Sequence, residues 1–358
     1  FSIRTALGMA QAGARGETAT QMRTALRVSS SDDVLHAGSA EITRRLNATG
    51  VGAYELAVAN SLWRQDGPPL LDEFLDTIDR FYGGCTKVFD FRHAFEDAGY
   101  TINSWVEERT KKRIKDLIPA GGLSVHTRLV LVNAVHFLGV WMSRFRRDDT
   151  RDLPFRTEDG TVVESPLMFQ RESISYTKAA DYQAVELMYE GADLSMLVLL
   201  PDRRNGLRDL EAELSVPMLK DCLAGMVTRE VDLFLPRFNI TWGVSDLSTP
   251  LSTLGMPLAF NRSLADFSGI NGQEPPSEDA LFLSAVYHKA FVEVNEKGTE
   301  AAAATAAAML VPIAALNPPK PPPVPVFRAD HPFTFAIRER RRGTVLFMGR
   351  VVDPTKEY

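Results

Sequence analysis

Between residues 295 and 333 the chain reads NEKGTEAAAATAAAMLVPIAALNPPKPPPVPVFRADHPF, a run of alanines followed by a run of prolines. Neither composition builds a packed core. On propensity alone Thr299 to Leu310 is a helix with a threonine cap and an acidic first turn. From Asn317 to Pro325 the prolines remove amide donors and fix φ, so that stretch is expected to be an extended, polyproline-like strut. Apolar, strand-like runs flank the segment on both sides. It therefore reads as a loop inside one domain and not as a linker between two.

The flanks belong to a series of strand candidates: TRLVLVNAVHFLGVW, LSMLVLLP, VDLFLPRFNI, LFLSAVYHKAFVEVNE, HPFTFAIRE and GTVLFMGRVV. Each is β-branched, aromatic or alternating, and is bounded by turn residues. The first third reads mainly as helices. Glu17 to Leu26 and Leu70 to Tyr82 have helical spacing. TINSWVEERTKKRIKDLIPAGG predicts one helix, capped by Thr101, with Ile102, Trp105, Val106, Ile114 and Leu117 on one face and Gly121 as its stop. With no regular βαβ rhythm, the class is α+β with large antiparallel or mixed sheets.

A net charge of −6 argues against a general nucleic-acid binder. No stretch approaches the roughly 20 apolar residues of a membrane helix. Cys85 and Cys222 lack metal-ligand spacing and read as buried thiols, and the six histidines form no ligand pair, so neither metal nor cofactor is expected. A hydrolase triad of Ser2, His288 and Asn133 or an acid can be drawn. The strand alternation Val286, His288, Ala290, Val292, Val294 instead makes His288 a satisfied core histidine. The basic turn RERRRG, Arg338 to Gly343, is read as a solvated hairpin in preference to a polyanion site.

VNAVHFLGVW, VDLFLPRF, DFSGI, VYHKAFVEVNEKGTEAAAATA, FRADHPFTF and LFMGRVVDP, in this order over nearly the whole chain, resemble the serpin family. The resemblance implies a single domain over residues 1–358 with three β-sheets, eight or nine helices and an exposed reactive loop from Gly298 to Phe327. It implies a monomer whose partner is a serine protease, held as a covalent acyl complex after it cuts the loop. It also implies a helix and a strand ahead of Phe1, and a secreted or extracellular location in preference to a cytoplasmic one. The alternative is a non-inhibitory serpin acting as carrier, chaperone or storage protein. That class is expected to carry bulky, charged or proline residues in the hinge, and past Glu300 that signature is missing from the run AAAATAAA.

Carried over residue by residue, Ser2, Asn133 and His288 match the shutter beneath the point where the large sheet parts, and Trp141 matches the breach above it. Glu296, Gly298, Thr299, Glu300, Ala301, Ala303 and Thr305 match the hinge. A strand entering a sheet needs every amide free, and residues 298 to 311 hold no proline. A packed slot admits small side chains, which Ala301, Ala303 and Thr305 supply. Family spacing puts the scissile bond at Pro312-Ile313, but proline is a poor acyl residue. The expected cut is therefore Ile313-Ala314, inviting an elastase-like or subtilisin-like protease, with Leu316-Asn317 as the chymotrypsin-like alternative.

Overall fold

The computed structural model describes residues 1–49, 54–84, 86–298 and 323–356. In chain order, helices α1 (Ser2–Gly13), α2 (Gly16–Ala25) and α3 (Asp32–Thr49) precede strand β1 (Tyr54–Gln65), α4 (Asp72–Tyr82), β2 (Thr86–Phe89), α5 (Phe91–Arg109) and β3 (Leu129–Gly139). Then come β4 (Arg151–Arg156), β5 (Val162–Lys178), β6 (Tyr182–Met188), β7 (Leu194–Pro201), α6 (Leu207–Glu213), α7 (Val216–Ala224), β8 (Val227–Pro236) and β9 (Phe238–Asp246). The chain continues with α8 (Ser248–Thr253), α9 (Ser268–Asn271), β10 (Leu283–Val294), β11 (Val326–Arg328), β12 (Phe333–Glu339) and β13 (Val345–Val351). No helix among the described residues is long and apolar enough to cross a membrane.

Two compact units divide the chain: Phe1–Val51, Glu55–Phe137 and Ile240–Val292 form one, and Gly52–Tyr54, Leu138–Asn239 and Glu293–Tyr358 the other. The first holds a five-stranded sheet in the order β2-β1-β3-β10-β9. Its central strands are covered on both faces, which explains their nearly continuous apolar sequences. Leu129, Leu131, Leu283 and Val286 pack with Ala6, Leu7 and Ala10 of α1. Val130, Val132, Ala134, Ala285, Tyr287 and Phe291 pack with Ala98, Ile102 and Val106 of α5. β3 and β10 run parallel and pair directly, in nine register pairs from Leu283↔Leu129 to Val292↔Phe137.

The second unit holds an eight-stranded sheet, β11-β8-β5-β6-β7-β12-β13, with β4 paired to β5. At 17 residues β5 is long enough to pair in turn with β4, β8 and β6. The second and third sheets of the expectation are thereby continuous. α6 and α7 cover part of one face, where Leu210 and Cys222 pack on Ala184, Leu197 and Leu199.

The predicted helix starting at Thr101 is corrected in both directions. α5 begins ten residues earlier, at Phe91, is kinked at Ala94 where φ −139° and ψ 35° are not helical, and ends at Arg109. Lys111 and Lys112 adopt positive φ of 51° and 63°, which breaks the helix without a glycine. Ile114 and Leu117 are buried in the same core from the irregular segment beyond, where the Ile114 amide donates to Thr110 Oγ1 at 3.2 Å. The mainly helical reading of the first third also missed β1 and β2.

Candidate functional site

In the first unit Ser2, Asn133 and His288 come together although they lie on α1, β3 and β10. Asn133 and His288 are register partners across the parallel pair. Ser2 Oγ donates to Asn133 Oδ1 at 3.2 Å, and His288 Nδ1 meets the same oxygen at 2.5 Å. Asn133 Nδ2 donates to Asn60 Oδ1 on β1 at 2.5 Å. One amide thus uses both lone pairs and a donor to tie together three strands and a helix. Burial pushes the His288 imidazole down to about 4, so it is neutral near pH 7, and Nδ1 carries the proton because Oδ1 can only accept. This geometry is not that of a hydrolase. The serine donates to the asparagine and not to the histidine, and all three side chains are buried, at 4%, 1% and 5% exposure.

In the second unit the segment after β10 doubles back in a tight turn. Asn295 and Gly298 exchange backbone hydrogen bonds at 3.1 Å, and Gly298 bridges to Val140. The Trp141 amide donates to Lys297 O at 3.1 Å and the Phe145 amide to Glu296 O at 3.0 Å. Trp141, fully buried, donates its indole Nε1–H to Asn295 O at 3.0 Å and stacks on Tyr189 with centroids 4.6 Å apart. The Glu296 carboxylate is buried, accepts from Thr150 Oγ1 at 2.6 Å and from Arg237 Nε at 2.8 Å, and pairs with the same guanidinium through Nη2. Burial alone would raise this carboxyl, but the hydrogen bonds from Arg237 and Thr150 outweigh it and hold it below its ordinary range.

Gly298 has φ +102°, and a Cβ built there would lie 2.3 Å from Gly139 O, 2.5 Å from Trp141 N and 2.7 Å from Val140 Cα. Only glycine fits this closed turn.

A family model described as serpin (serine protease inhibitor) matches residues 1–354. The chain belongs to the serpin family. An uncharacterized serpin-like protein of Thermococcus kodakarensis is 41% identical, covering 99% of this chain and 79% of its own. The leukocyte elastase inhibitor A of Rattus norvegicus is 37% identical, covering 99% and 92%. Among solved structures, the serpin AtSerpin1 of Arabidopsis, described as a native stressed conformation, superposes with a TM-score of 0.86 at 30% identity, covering 99% of this chain and 90% of that one. The comparisons give no support to the expected extracellular location.

Within this serpin, Ser2, Asn133, His288, Trp141, Glu296 and Gly298 lie where their contacts are described above. Thr299, Glu300, Ala301, Ala303, Thr305, Pro312, Ile313, Ala314 and Leu316 lie outside the described residues, as do Cys85 and the helix read over Thr299 to Leu310. Asn60, Thr150, Tyr189 and Arg237 were missed by sequence reasoning. Asn60 lies on β1, a strand of mixed polar and apolar residues, so no local signal marked it. The basic turn is largely neutralised: Arg338 pairs with the buried Glu186 at 2.5 Å, Arg340 Nη1 donates to Ala192 O at 3.0 Å and Arg341 approaches Asp193 at 3.6 Å. That arrangement favours the hairpin reading over a polyanion site.

Proposed function

We propose that this serpin is an irreversible suicide-substrate inhibitor of serine proteases of elastase-like or subtilisin-like specificity, working as a single-domain monomer with residues 298–327 as its reactive loop. The observation that carries the proposal is the directly paired parallel seam of β3 and β10, with β10 feeding through the Gly298 turn into a proline-free, small-residue segment. A strand that follows β10 through a reversing turn runs antiparallel to β10. Because β3 is parallel to β10, the same strand is antiparallel to both if the seam opens to receive it. One parallel interface, slightly weaker per residue, is then exchanged for two antiparallel ones. A dozen inserted residues add on the order of ten hydrogen bonds at about 1 kcal/mol each, a large drop in free energy.

The protease serine attacks the carbonyl of Ile313, forming an ester and releasing the amine of Ala314, which takes its proton from the protease's own histidine. Residues 299–311, about 13 at 3.3 Å each, then carry the acyl-enzyme roughly 43 Å along the sheet, distorting its oxyanion hole before water attacks. The prolines beyond the cut keep that side from inserting. The likeness to a leukocyte elastase inhibitor, at 37% identity, supports an elastase-like target.

Titration against elastase-, subtilisin-, chymotrypsin- and trypsin-like proteases tests the reading. Stoichiometric, non-recovering loss of elastase- or subtilisin-like activity is expected, with trypsin spared. Rapid cleavage of the loop with full recovery of every protease would overturn it.

A further inference from the structure

The β3–β10 seam carries a second histidine that the family resemblance does not assign. His136 lies on β3 in register with Phe291 of β10, their ring centroids 5.4 Å apart. Three residues from Asn133, it occupies the opposite face of the sheet, on the side packed by α5. It is wholly buried, at 0% exposure, and neither ring nitrogen has a hydrogen-bond partner among the described residues. The charged groups acting on it are Glu55 from β1 and Lys111 and Arg113 from the segment after α5. Lys111 Nζ already donates to Glu55 Oε2 at 2.7 Å, so this surrounding offers an imidazolium no net counter-charge.

We propose that His136 is a proton-sensitive lock on the seam: neutral, it fills the closed face against Phe291, and protonated it cannot remain there, so that acid makes β3 and β10 part more readily. The inference rests on the loop-insertion reading above. Burial holds the imidazole at about 4 in the closed sheet, against 6.5 for a solvated histidine once the strands separate. The closed form keeps its full advantage above pH 6.5 and loses it as pH falls from there toward 4. Between pH 7.5 and 5.5 the open population should rise about tenfold from this group alone. His288, on the other face and also held at about 4 by burial, acts in the same direction, so the test must subtract its share.

The measurement is the rate at which the intact protein takes up a synthetic peptide with the sequence of residues 299–311, followed by native-gel mobility at pH 7.5 and 5.5. It compares the parent with His136→Phe and His136→Gln, each first shown to melt cooperatively. The parent's acid acceleration should exceed that of both variants by about tenfold. Parent-like acceleration in either folded variant overturns the lock while leaving loop insertion intact. No uptake by any form at either pH overturns the insertion reading itself, and the lock with it.

Discussion

Gly298→Ala should weaken the intact protein and spare its loop-cleaved form. At φ +102° the new side chain occupies a conformation that costs about 1–3 kcal/mol for a residue with a Cβ. Its three close contacts, at 2.3, 2.5 and 2.7 Å, are all with backbone atoms, so no side-chain rotation relieves them. The turn must lift off Val140, and the Trp141 amide loses its 3.1 Å bond to Lys297 O, at a further cost of about 1 kcal/mol. With the overpacking that remains, the closed turn loses about 3–5 kcal/mol. At roughly 1.5–2 °C per kcal/mol for a chain of this size, the intact form should melt about 5–10 °C lower. If cleavage inserts the loop as proposed, residue 298 should become ordinary extended strand, and the melting point of the cleaved form should change by no more than about 2 °C. Calorimetry of both forms of parent and variant reads the difference. Equal losses in the two forms, or no loss in either, would refute the argument that this turn opens when the loop enters the sheet.

Arg237→Ala leaves the Glu296 carboxylate buried without its charge partner and should cost the intact protein about 3 kcal/mol in urea unfolding, the low end for a broken buried pair because Arg237 is one-third exposed. Since the Glu296 carboxyl is held below its ordinary 4.5, its contribution should be complete above that pH and fade as acid approaches the depressed value, and this fade should vanish in Glu296→Gln. Asn133→Ala strands the Ser2 and His288 donors and the Asn60 acceptor, so the thermal midpoint should fall by the equivalent of about 2–4 kcal/mol; an unchanged midpoint would contradict this hydrogen-bond network. Thr299→Arg or Ala303→Pro should leave cleavage intact but turn the protein from inhibitor to substrate, by burying an unpaired charge or removing a ladder donor; parent stoichiometry on a denaturing gel would contradict this.

Strands buried on both faces were the most legible part of the fold. LVLVNAVHFLG and LSAVYHKAFVEV stand out because α1 and α5 cover opposite sides of the same sheet. α4 was also readable, from its strong spacing and the left-handed Gly83 that ends it at φ 78°. β1 was not, since ELAVANSLW mixes alanine and polar residues in a strand whose first half is mostly half-buried. The misplaced α5 shows how a continuous buried face can outlast its helix. Ile114 and Leu117 keep the helical spacing across a break made by two lysines. At the candidate site, Ser2, Asn133, His288, Trp141, Glu296 and Gly298 were reachable through family resemblance, whereas their partners were not. Asn60 is 73 residues from Asn133, Arg237 is 59 from Glu296 and Thr150 is 146 from it, and no local pattern announces pairing at such distances.

The mass of the product formed with an elastase-like protease tests the central claim most directly. Trapping at Ile313-Ala314 requires a species that survives denaturation, in which the protease is joined with loss of one water to the chain as far as Ile313, together with a released peptide that begins at Ala314. Free, fully active protease beside a cleaved chain, with no covalent species at any ratio of the two, would contradict it.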